Sequence, residues 1–147
     1  MSDDGFSIAA YGVIGNDRGQ VLLTRRRGSD EWVLPGGSVE AEEAPWEALV
    51  REVREESGLK VELGRLVGVY AKRRERDLVF VFAASATGGA LRASDERDRV
   101  EFVDPRTPPE QTSDHDRERI ADALKGRAEA VLAVQPSQGY NPPAGTR

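Results

Sequence analysis

The chain has 147 residues, a net charge of -5 and no cysteine. That length suits one domain with a core of its own, and the missing cysteines exclude disulfides, thiolate metal sites and cysteine nucleophiles. The acidic balance argues against nucleic acid or an anionic membrane as partner, and no apolar run reaches the ~20 residues of a membrane span.

The acidic N-terminus lacks the basic start of a signal peptide, so the expected compartment is the cytoplasm. Residues 1–5 read as a polar lead to a domain spanning 6–134. Phe6–Ile14 and Val21–Thr24 are apolar runs joined by the turn-forming Asn16-Asp17-Arg18-Gly19, a hairpin pattern. Arg25-Arg26-Arg27 leads into a second turn, and the short run Trp32-Val33-Leu34 ends at Pro35-Gly36-Gly37. Pro45–Ser57 has helical periodicity, with Pro45 suited to the first turn and Gly58 to the position past the end. Val61–Ala71, Leu78–Ala84 and Val100–Val103 read as strands, and Asp116–Ala128 as a second helix. From Gln135 the Pro- and Gly-rich sequence predicts a disordered tail, 135–147. Strands interleaved with two helices predict one α/β or α+β domain.

The first helix carries two stripes. Trp46, Leu49, Val50 and Val53 recur at helical spacing and predict the packing face, with Trp46 in the core. Glu52, Glu55 and Glu56 form an acidic stripe about 110° away, at the edge of that face. Like charges so spaced cost a helix about 0.2–0.5 kcal/mol per pair. A solvated acidic face, relieved by Glu47–Arg51 and Arg51–Glu55 pairs, is the plain reading. Against it stands the company the helix keeps. Gly36-Gly37 lets the backbone approach a ligand and offer carbonyl oxygens, and Glu43 lies between the glycines and the helix. Hard divalent cations such as Mg²⁺ take such oxygen ligands, and a bound cation would turn the repulsion within the stripe into attraction.

The segment GSVEAEEAPWEALVREVREESGL, Gly37 to Leu59, resembles the Nudix box. Gly37, Glu43, Arg51, Glu52, Val53, Glu55, Glu56, Gly58 and Leu59 fill every defined position. At average residue usage a chance match has a probability on the order of 10⁻⁷. The resemblance to these MutT-like hydrolases implies an α/β/α sandwich with a mixed sheet. It also implies Mg²⁺- or Mn²⁺-dependent hydrolysis of a nucleoside diphosphate linked to another moiety. Carried onto this chain, it makes Glu52, Glu55 and Glu56 the metal ligands, one of them alternatively the general base, and adds the Gly37 carbonyl. Arg51 would hold a catalytic glutamate, with Glu43 as its contact. A further acid from beyond the box would be Glu96, with Asp95 and Asp98 as rivals.

Arg25 and Arg26, and with them Arg27, are candidates for phosphate contact, with a basic surface turn as the plain alternative. Tyr70 lies on a strand that could line a nucleoside pocket and is a substrate-binding candidate on that ground, with a core position as the favoured reading. His115 reads as a surface or helix-start residue. The expected partner is a small nucleotide, and many relatives in the family are homodimers. The alternative to an enzyme is a catalytically silent nucleotide-binding regulator, which should have lost box residues; all are present.

Overall fold

The structure, a computed structural model, describes residues 5–136. Its strands are β1 (Ser7–Gly15), β2 (Val21–Arg26), β3 (Trp32–Val33), β4 (Gly36–Ser38), β5 (Leu59–Lys72), β6 (Asp77–Gly89), β7 (Arg97–Val103) and β8 (Val131–Val134). Its helices are α1 (Pro45–Ser57) and α2 (Asp114–Leu124). The strands form one mixed sheet in the order β3-β2-β1-β6-β5-β8, with β4 added to β1 and β7 to β2.

The expected hairpin closes only at its base. β1 and β2 meet at Gly15 and Val21, and β1 then runs parallel to β6 from Ser7–Asp77 to Gly15–Ser85. The other edge of β1 is taken by β4, through Ala9, Ala10 and Tyr11, while β2 pairs along its length with β7. This delivers the Gly36-Gly37 turn and the start of β7 to one end of the sheet.

Alternation in β1 splits the core in two. Ala9 and Val13 face a cluster closed by Ile120 of α2, whereas Ala10 and Ile14 face one closed by Ala48, Leu49 and Val53 of α1. A helix therefore covers each face, the α/β/α arrangement. Each fully buried aliphatic side chain contributes about 1.5–3 kcal/mol, so Leu49 and Val53 are the main anchors of α1.

Ala44 offers α1 no capping side chain. The Glu47 carboxylate instead accepts the Ala44 N–H at 2.9 Å, and Gly58 ends the helix in the left-handed conformation. Two expectations about the helix face need correction. Trp46 is 55% exposed and Val50 39% exposed, not core. The buried arc is rotated toward the acidic stripe and takes in Ala48, Glu56 and Ser57, because α1 packs against the sheet end where β4 and β7 bring partners for the carboxylates.

The C-terminal region also differs from expectation. β8 follows α2 and pairs parallel to β5. Gln135, expected to open the tail, is buried; its side-chain oxygen accepts both Nε and Nη2 of Arg119, at 3.2 and 2.8 Å. The remainder of the expected tail, 137–147, and residues 1–4 of the lead lie outside the described residues. Among the described residues, no helix is long and apolar enough to cross a membrane.

Candidate active site

At the end of the sheet, α1 lies against the Gly36-Gly37 turn. Gly36 has φ 148°, and a Cβ there would stand 2.2 Å from the Ala10 carbonyl oxygen; only glycine fits. At Gly37 the obstacle is the site itself, since a Cβ would lie 2.8 Å from the Glu52 carboxylate carbon. The turn is thus pressed against the acidic edge of the helix.

One carboxylate oxygen from each of Glu52, Glu56 and Glu96 lies within 4.8 Å of the others. The last of these comes from the residue just before β7, far from α1 in the chain. Among the described residues this is the group fitted by its donors for a metal ion, and three carboxylates suit a hard divalent cation. Glu55 is not part of it. Its side chain is 53% exposed and meets Arg51 at 3.3 Å, because it lies one step further round the helix from the sheet.

Glu52 and Glu56 are held differently. Arg51 grips Glu43 with a two-pronged contact, Nε at 2.8 Å and Nη2 at 3.0 Å, and its Nη1 donates to Glu52 at 3.0 Å. The hydrogen bonds from Arg51 hold the Glu43 carboxyl down at about 2. Glu56 is buried; one oxygen accepts the Gly36 N–H at 3.0 Å and the other accepts Nη2 of Arg97 at 2.9 Å. Burial pushes the Glu56 carboxyl up to about 8 even though the Arg97 charge works the other way. Arg97 itself is buried and also donates to the Thr24 hydroxyl at 3.1 Å.

With that geometry in view, the model of the NUDIX domain matches residues 5–124. The chain belongs to the Nudix family. It is 35% identical over 120 residues to a MutT-like protein of Streptomyces ambofaciens, covering 82% of this chain and 78% of the relative. It is 31% identical over 133 residues to a putative 8-oxo-dGTP diphosphatase of Bacillus subtilis (strain 168), covering 90% and 89%. The solved structure of a NUDIX hydrolase from Nitrosomonas europaea superposes with a TM-score of 0.82 at 18% identity, covering 92% of this chain and 82% of that one. This Nudix chain is accordingly a hydrolase of phosphoric anhydride bonds.

The other expected site residues of the Nudix domain are scattered. Arg26 lines a polar cleft of about 110 Å³ together with Tyr11, Lys72, His115, Asp116 and Arg119. Tyr11 pairs with Gly36 across β1 and β4, so the cleft adjoins the glycine turn. Arg25 points elsewhere: it pairs with Asp98 at 3.3 Å and lies over the Trp32 ring at 5.9 Å. Tyr70 is not a pocket wall. It is 0% exposed and its hydroxyl donates to Asp122 at 2.8 Å, because the β5 register turns it into the α2-side core. Asp95 is not in the carboxylate group, and Asp98 is engaged by Arg25.

Sequence reasoning missed Arg97 and the cleft residues Asp116 and Arg119. Asp116 is buried, accepts the Leu34 N–H at 3.2 Å and pairs with Arg119 at 3.0 Å. Burial raises its pKa against the opposing charge of Arg119. No local signal separates Arg97 from Arg92 or Arg99; the pairing of β7 with β2, shifted at Arg25/Arg26, is what aims it inward.

Proposed function

We propose that the chain hydrolyses a nucleoside diphosphate linked to a second moiety, a small cytoplasmic nucleotide rather than nucleic acid, using Mg²⁺ or Mn²⁺. Glu52, Glu56 and Glu96 would hold the ion, with the Gly37 carbonyl as a further oxygen. The observation that carries the reading is the convergence of these three carboxylates beside the glycine turn. A bound divalent ion would offset the negative charge of the diphosphate and lower the pKa of a coordinated water.

The protein's own part is orientation. Arg51 fixes Glu52 through Nη1 while Glu43 fixes Arg51, a bidentate arrangement that sets angle as well as distance. We assign Glu55, which touches Arg51, to steadying that arginine. Gly36 and Arg97 fix the two oxygens of Glu56. Arg26, exposed beside the cleft, is placed to meet phosphate, and the polar cleft suits the part of the substrate beyond it.

Incubation with Mg²⁺ and a panel of nucleoside triphosphates, nucleotide sugars, CDP-alcohols and ADP-ribose, read by product mass, tests this. A nucleoside monophosphate or diphosphate product is expected, and Glu52→Gln and Glu56→Gln should each lose about a thousandfold in rate while remaining folded. An inert wild type across the panel, with either metal, would favour a silent nucleotide-binding module instead.

A further inference from the structure

We propose that Arg27 is a positioning residue that fastens the turn carrying Glu96. The proposal rests on the reading of Glu96 as a metal ligand. Arg27 follows β2 directly, and three of its donors reach three consecutive carbonyls of the turn. Its backbone N–H donates to the Glu96 carbonyl at 3.0 Å, its Nε to that of Asp95 at 2.8 Å and its Nη2 to that of Ser94 at 3.0 Å. The planar fork of a guanidinium suits this, since its donors are fixed relative to one another.

The turn needs such a hold. Asp95 and Glu96 are exposed. The turn closes on itself through Ser94, whose N–H donates to the Arg97 carbonyl and whose hydroxyl accepts the Arg97 N–H. Arg97 also ties the end of the turn to β2, by its pairing with Arg26 and its bond to Thr24, which leaves the Ser94–Glu96 stretch to Arg27. Meanwhile the Glu96 carboxylate sits near those of Glu52 and Glu56, and in the absence of a cation the like charge of Glu52 acts to push the turn outward. Arg27 opposes that displacement from outside the carboxylate group.

Mn²⁺ binding to the full chain without substrate, followed by electron paramagnetic resonance, tests the role. Arg27→Ala removes two of the three bonds and keeps the backbone one. It should weaken Mn²⁺ binding about tenfold while the unfolding midpoint of the metal-free protein stays the same, and Arg27→Lys should recover part of the loss. The decisive comparison is a double-mutant cycle with Glu96→Gln. If Arg27 acts through Glu96, the double variant binds Mn²⁺ no more weakly than Glu96→Gln alone. Wild-type affinity in Arg27→Ala, or effects that multiply in the double variant, would overturn the proposal. A different failure is recognisable: if Glu52→Gln weakens Mn²⁺ binding and Glu96→Gln does not, Glu96 is no ligand and the underlying reading falls first.

Discussion

Arg51 and Arg97 each grip a glutamate of the acidic edge of α1 or of the loop before it, with opposite electrostatic outcomes. The Arg51–Glu43 pair lies near solvent, and its hydrogen bonds lower the Glu43 pKa to about 2. The Arg97–Glu56 pair is buried, with side chains 6% and 1% exposed, and there desolvation outweighs the arginine and raises the Glu56 pKa to about 8. The lesson is that an arginine partner does not by itself set a carboxylate's charge; depth decides which contribution prevails.

The largest expected break in this comparison comes from Arg97→Met. Leaving a buried, charged carboxylate without its partner costs about 3–5 kcal/mol. Chemical denaturation above pH 8, where the Glu56 carboxyl carries its charge, should therefore show a loss approaching that, and a smaller one at lower pH where the carboxyl is protonated. Adding Glu56→Gln should restore part of it, since the charge left behind is then gone. Arg51→Ala should cost less than Arg97→Met, because its carboxylate partners lie nearer solvent.

A pH series separates the pairs further. Native Glu43 binds fewer protons than the unfolded chain between about 2 and its ordinary 4.5. Its stabilisation is therefore present above 4.5 and lost as pH falls toward 2. Native Glu56 binds more protons than the unfolded chain between 4.5 and about 8. Its contribution is most favourable below 4.5 and is lost as pH rises through 8. Denaturation of the metal-free protein across pH should show Glu56→Gln flattening the upper window and Glu43→Gln the acid limb. The smallest effect belongs to Trp46→Glu, which at 55% exposure should shift stability by no more than about 0.5 kcal/mol. A loss of several kcal/mol would mean that Trp46 packs as its spacing in the sequence suggests.

The same contrast explains what could be read from the sequence. Arg51, Glu43 and Glu52 lie within one short segment, so helical geometry and the box pattern suffice to associate them. Glu96 could be placed only through the resemblance, since in its own segment it is one acid among several. Arg97 depends on how β7 meets β2, which is a property of pairing between distant strands. Trp46 differs from its expected core position because periodicity fixes which residues share a face, but the packing partner fixes where the buried arc begins; Tyr70 takes the core position that the sequence favoured. β8 was missed because four residues, VLAV, are too few for alternation to declare a strand.

The parallel pair at the middle of the sheet has a consequence for how the molecule comes into being. The Ser7 hydroxyl meets the Asp77 carboxylate across a sequence separation of 70 residues, and the first strand finds its longest neighbour only there. An emerging polypeptide therefore holds β1 with β4 and α1 as its early neighbours, and without its longest one until residues 77–89 have been made. Such high contact order slows folding, and the acidic centre, whose last member arrives at residue 96, is assembled late in that sequence of events rather than as an early nucleus.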